Sequence, residues 1–311
     1  MDPSSRLEIS AALLAACLGC ATGRGVLSGE EGTPDAAGPV ERAPPFHGDE
    51  FRYDRMDAPY RALVDVVAIP ASVGDWSTSD WSKLALWSGG IASLMVRTPR
   101  SADSRLDGWF RSELDPRLPM VWTVPMQATL WTSVAVGGLG TWWWADRTER
   151  TGLAQGLSLM GESLAVAQAY HVGIKLLLGR EGPRSDGAEP GISGPGDGFQ
   201  QYPSGAPSGH AATLYSLLSA GFAYFEPPLW LQATGHAVVG GLLTFHAIDH
   251  KHYASDLIWG GAVGWYVGQW VVAHRASRPE NGGRSAVRSL QAALLPMPLP
   301  GGAGASLIIG Y

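Results

Sequence analysis

Residues 246–256 read HAIDHKHYASD, three histidines, two aspartates and a lysine within eleven positions. They stand between two apolar runs, VVGGLLTF at 238–245 and LIWGGAVGWYVGQWVVA at 257–273. Ionisable groups are costly between such neighbours unless they meet partners. His252 and Asp256 are four apart, so a helix or its first turn puts both on one face. A carboxylate beside an imidazole fixes its tautomer and leaves the far nitrogen free to attack, the pairing of a nucleophile with its orienter.

A second motif lies upstream. PSGH, Pro207 to His210, opens an apolar segment, so Ser208 and Gly209 offer a hydroxyl and backbone N–H groups at a helix N-terminus, where an anion is favoured. Before it, 179–209 is a long Gly/Pro/Ser loop, a kind of segment that is usually functional. The helix ahead of that loop ends at Lys175. Connecting the apolar segments up and down brings Lys175, the loop into His210 and the 246–256 cluster to one end.

In order, the three pieces resemble the type-2 phosphatidate phosphatase and vanadium haloperoxidase superfamily, whose pattern is K-x6-R-P, P-S-G-H and S-R-x5-H-x3-D. Lys175 and Pro183 in KLLLGREGP, all four residues of PSGH, and His252 with Asp256 match it. DHKHYASD at 249–256 is similar to the third motif of the membrane lipid-phosphate phosphatases. The resemblance covers about 120–278 and departs at two arginines. Gly182 stands at the first arginine position, and Phe245-His246 replace the serine-arginine pair.

The resemblance implies an all-α bundle of five to six helices, membrane-associated, hydrolysing lipid phosphates such as phosphatidate or a polyprenyl pyrophosphate without a metal or other cofactor. His252 would attack phosphorus, Asp256 would orient it, and His210 would protonate the leaving alkoxide and then activate water. Lys175, Ser208 and Gly209 would hold the phosphoryl oxygens. Arg180 and Arg184 flank the first gap, and a protonated His246 would partly replace the second arginine. Rival readings are a member that has lost turnover and binds or scaffolds, vanadate-dependent haloperoxidase chemistry, or a metal site built on His246, Asp249, His250 and His252.

Composition agrees with this direction. The chain has 311 residues, a net charge of −6 and only 16% charged residues, with 13 tryptophans. An acidic balance argues against a nucleic-acid partner, and low charge with tryptophans beside apolar runs suits a multi-helix membrane protein. Residues 118–145 carry no charge and are long enough to span a bilayer. Both cysteines, Cys17 and Cys20, fall in a short apolar leader over 1–20, where LAAC resembles a lipoprotein box with Cys17 as the acylated residue. A linker follows over 21–60, then a helical phosphatase-like domain over 61–278 and a tail over 279–311 with an extended end. These features predict an exported protein of a bacterial membrane, with or without a lipid anchor, its site facing outward.

Overall fold

The computed structural model describes residues 58–97, 99–114, 131–195 and 205–276, and the backbone of 291–299 and 302–310. The leader with Cys17 and Cys20, most of the linker and the first half of the 118–145 run lie outside the described residues. The chain divides into two compact units, one holding Tyr53–Val272 and the other Ala273–Tyr311.

Helices build the first unit. They are α1 (Ala58–Ala71), α2 (Thr78–Met95), α3 (Ala102–Trp109), α4 (Gly138–Arg147), α5 (Thr151–Leu178), α6 (Gly209–Phe225), α7 (Leu229–Ile248) and α8 (Ala254–Ala276). In the second unit, β1 (Gln291–Leu299) and β2 (Gly302–Gly310) form an antiparallel ribbon with Leu295 opposite Ser306. The extended end expected from the sequence is therefore a hairpin, a departure from an all-α chain. Pro296 and Pro298 fit because each strand of a two-stranded ribbon is an edge.

Helices α6 and α8 approach each other closely. Gly260, Gly264 and Gly268 recur every four residues on α8. A β-carbon at Gly260 would lie 2.2 Å from the Ser208 carbonyl oxygen, and one at Gly264 would lie 2.3 Å from that of Ala212. One at Gly268 would meet Ser216 O and Ala220 N at 2.8 Å. Small residues on both helices let the backbones touch, the same device that packs helices in membranes. The pairing is sealed at its top by a 2.9 Å bond from Ser208 N–H to the Asp256 carbonyl. The PSGH segment and the start of α8 are thus one structural piece. Around them a core of Leu106, Phe110, Leu214, Tyr215, Leu243 and Leu257 joins α3, α6, α7 and α8.

Caps fix where the chain enters and leaves the site. Helix α5 stops at Gly179, whose left-handed φ of 58° closes the last turn through its N–H on the Lys175 carbonyl. A side chain there would strike Ser193 and Gly194 of the loop at 2.8 Å. Helix α6 starts on Ser208, whose hydroxyl accepts from Ala211 N–H at 3.4 Å.

Part of the expected 118–145 span lies outside the described residues. Among the described residues, no helix is long and apolar enough to cross a membrane. Polar side chains interrupt every candidate: Gln155, Glu162, Gln168, His171 and Lys175 on α5, and Gln232, His236, Thr244 and His246 on α7. The described part of the 118–145 run is helical throughout, passing through a π-helical turn at Ser133–Gly137 into the ten-residue α4.

Gly264→Ala is expected to destabilise by about 1–3 kcal/mol, since its β-carbon meets backbone that cannot yield. Gly241→Ala, where a β-carbon meets nothing within 4 Å, should be neutral or stabilising by up to about 1 kcal/mol through helix propensity. Thermal unfolding of the two variants separates them, and equal melting temperatures would contradict the close-packing account.

Candidate active site

Four elements meet at one end of the first unit: the last turns of α5, the first turn of α6, the end of α7 and the loop 249–253 leading into α8. The loop turns sharply. His250 takes φ of 53°, and the N–H groups of Lys251 and His252 bond the His246 carbonyl at 3.0 and 3.4 Å. That return lays His252 over His246.

The result is a cage of imidazoles. The ring of His210 lies 4.2 Å from that of His246 and 6.1 Å from that of His252, centroid to centroid, and His246 and His252 are 6.4 Å apart. His252 and His246 are buried, and His210 is half-buried. Asp256 is fully buried and stands 3.8 Å from Nδ1 of His252. This is ion-pair distance, longer than a hydrogen bond. Both Asp256 oxygens are in use: Oδ2 accepts from Tyr253 N–H at 3.0 Å, and Oδ1 accepts from Arg180.

Sequence reasoning missed His171. It lies on α5 one turn before Lys175, and its ring comes so near Gly209 that a β-carbon there would be 2.7 Å away. Gln168 locks it in place. The Gln168 amide nitrogen donates to the Gly209 carbonyl at 3.2 Å and to Thr213 Oγ1 at 2.7 Å, so its oxygen faces Nδ1 of His171 at 3.1 Å. An acceptor there fixes Nδ1 as the protonated nitrogen of the neutral ring. The signal was the H-x3-K spacing, which puts His171 on the face of Lys175.

The cations fall differently from expectation. Lys175 is fully buried, and its ammonium donates to the Gly205 carbonyl at 3.1 Å. Burial pulls its pKa down to about 8, against the Asp256 charge that holds it up. Arg180 is also buried and is committed to carboxylates. It donates to Asp256, to Asp103 Oδ2 at 2.9 Å and to Ser255 Oγ at 3.2 Å, and its guanidinium stacks on Tyr253 at 5.0 Å. A phosphate-gripping role for Arg180 is therefore corrected to a structural clamp. Arg184 points outward to Asp186 at 3.2 Å and Glu181 at 3.6 Å, and does not enter the site. The reading of His246 as a substitute cation is corrected too. Burial first, then His210, His252 and Lys251, push its pKa down to about 3. His171 and His210 are likewise pushed down to about 4, again by burial first. All three rings are neutral at pH 7.

Ser208 and Gly209 begin α6 beside His171 and the start of α8, where the sequence placed them. Among the described residues, no group of three or more His, Cys, Asp or Glu side chains is arranged to hold a metal ion. Asp249, one ligand of the metal reading, is paired with Lys251 at 2.6 Å.

With this geometry in view, the comparison with known families is specific. Residues 156–279 match the model of the PAP2 superfamily, the family that the three motifs resemble. The matched stretch begins within α5 and contains Lys175, the PSGH segment, His252 and Asp256. No curated protein and no solved structure matches the chain.

The expectation that Lys175 holds phosphoryl oxygens, taken with its lowered pKa, predicts an upper pH limit on anion binding. As pH rises through about 8 the ammonium loses its proton, and affinity for phosphate or vanadate should fall by about tenfold per unit once neutral lysine dominates. Lys175→Arg should move this limb to higher pH because guanidinium stays charged. Phosphate binding followed by calorimetry from pH 6 to 10 measures it, and an unchanged limb in the variant would remove Lys175 from the anion site.

Proposed function

We propose that the chain is a metal-independent phosphomonoesterase acting on phosphates with an apolar tail, through a phosphohistidine on His252. The carrying observation is that His252 and His210, from separate motifs, lie with ring centroids 6.1 Å apart, near enough to Lys175 for its charge to be felt at His210, with Asp256 behind the nucleophile. The match of residues 156–279 to the PAP2 superfamily supports phosphatase-type chemistry.

The chemistry follows from those positions. Nε2 of His252 attacks phosphorus and forms a P–N bond as the P–O bond to the leaving group breaks. His210 gives its proton to the departing alkoxide. Water, deprotonated by His210, then cleaves the P–N bond and releases phosphate. In the free protein, burial and neighbouring charges keep His210 neutral at pH 7. A phosphate dianion among the rings supplies attraction and raises their pKa values, so binding itself loads the acid.

An apolar tail has a place to go. A half-open apolar cleft of about 80 Å³ is lined by Trp87, Leu243, Leu257 and Ile258. It shares Leu106, Phe110, Ala247 and Ala254 with a smaller cleft that His252, Asp103 and Asp107 line. Continuity of apolar lining with the nucleophile favours a lipid phosphate over a sugar phosphate.

One observation favours a second reading, a family member with little turnover. Among the described residues no guanidinium faces the imidazole cage: Gly182 and His246 hold the two arginine positions, Arg180 is spent on Asp103 and Asp256, and Arg184 faces out. Phosphoryl transfer depends on such charge stabilisation, and losing one donor costs about 2.7–4 kcal/mol elsewhere.

The test is hydrolysis of a long-chain alkyl phosphate in detergent, with vanadate as inhibitor. His252→Ala should abolish turnover and the acid-labile, base-stable phosphoenzyme trapped by rapid quenching. Gly182→Arg combined with His246→Arg should raise kcat/KM at least about tenfold. Turnover that survives His252→Ala would sink the mechanism. Vanadate binding without turnover in either protein would select the second reading.

A further inference from the structure

Helix α3 lies outside the stretch that matches the family, yet it holds the motif-three loop at two points. Asp103 and Asp107 are four apart, on one face of α3, and both are buried. Asp103 Oδ1 accepts Ser255 N–H at 3.0 Å; its Oδ2 accepts Ser255 Oγ–H and Arg180 at 2.9 Å. Asp107 Oδ1 meets Nδ1 of His250 at 2.7 Å, and its Oδ2 accepts Arg111 at 2.8 Å. These anchors fall two residues before His252 and three after it.

The placement of α3 is itself fixed from the other motifs. Its N-cap Ser101 receives Ser104 N–H on its hydroxyl, while Glu189 of the 179–195 loop accepts Ser101 N–H at 3.0 Å and Ser101 Oγ–H at 2.8 Å. Arg180 begins that loop, and Leu106 and Phe110 seat α3 in the core. The helix thus carries a position set by motif one and the core to the backbone on either side of the nucleophile.

We infer that Asp103 and Asp107 are positioning residues for His252, a carboxylate brace that holds the 249–256 loop at attack geometry and, through shared Arg180, sets how much of Asp256 is left for His252. This rests on the phosphohistidine reading above. A misplacement of about 1 Å in such a site costs on the order of a hundredfold in rate. The brace touches no substrate atom, so its loss should appear in kcat and spare KM.

The experiment uses the full chain with Asp103→Asn, Asp107→Asn, Ser255→Ala and His250→Asn. Asparagine at 250 tolerates the left-handed backbone there. Each variant should lower kcat at least about tenfold with KM within about twofold, and amide exchange across 249–256 should speed up by a similar factor. Asp107→Asn with His250→Asn should cost no more than either alone, because the two report one contact. Asp107→Glu should recover part of kcat. Asp80→Asn, which breaks the capping box of α2, should lower the melting temperature without moving kcat. If Asp103→Asn or Asp107→Asn does not fold, Ser255→Ala and His250→Asn carry the same measurement from the loop side. Wild-type kcat in the folded variants, or exchange across 249–256 unchanged from wild type, would overturn the brace. A wild type that hydrolyses nothing overturns the phosphatase reading instead, and the exchange measurement still decides whether α3 holds the loop.

Discussion

Arg180 is a guanidinium almost wholly removed from water and shared between two buried carboxylates, Asp103 and Asp256. Burying a charge costs several kcal/mol, and the arrangement survives only because each group is satisfied. The three partners come from α3, the turn after α5 and the first turn of α8, so one ion triad fixes three elements that the chain keeps far apart. Removing any member would leave a buried charge uncompensated, at about 3–5 kcal/mol. Burial already pushes the Asp103 carboxyl up from its ordinary range, against the pull of Ser255 and Arg180. The glycine stripe of α8 against α6 then adds the fourth element, by holding PSGH against the carbonyl of Asp256.

This clamp explains the electrostatic character of the site. The guanidinium nearest the nucleophile balances structural carboxylates, and what faces the cleft is neutral imidazole with one buried lysine of lowered pKa. Such a pocket has little standing positive charge. On the proposed function, it would bind an anion by becoming charged as the anion arrives, because a phosphate among four rings favours protons on them. Affinity and proton uptake would then be coupled, unlike a site with permanent guanidinium forks.

The motif chemistry was legible from the sequence because K-x6, PSGH and H-x3-D are local spacings, and local spacing on a helix fixes direction. Lys175, His210, His252 and Asp256 meet as those spacings implied. Contacts between distant segments left no such trace. Asp103 and Asp107 sit in ADSRLDGW, which reads as an ordinary charged surface turn, and only the fold turns that face inward. Arg180 lay in the right place for the wrong reason, since sequence position cannot tell a cation that faces a ligand from one that faces buried carboxylates. His171 was readable through its spacing from Lys175 and was passed over as a residue of an apolar helix. The same apolar helices suggested membrane spans, because the eye weighs Leu, Val and Trp more than scattered Gln, Thr, His and Gly.

The state of Asp256 completes the argument. With Tyr253 N–H on one oxygen and Arg180 on the other, it reaches His252 at 3.8 Å as a charge rather than as a hydrogen-bond acceptor. Nδ1 of His252 is buried without a hydrogen-bond partner among the described residues, so nothing fixes its tautomer in the free protein. Catalytic hydrogen bonds that are long at rest commonly tighten only when substrate is bound. On the phosphohistidine proposal, the phosphate supplies that tightening: as phosphorus approaches Nε2, positive charge would develop on the ring, Nδ1–H would become a stronger donor, and the gap to Asp256 would close. The loop can close it only if its ends stay fixed while its middle shifts, and Ser255 and His250 are the two points at which α3 holds it.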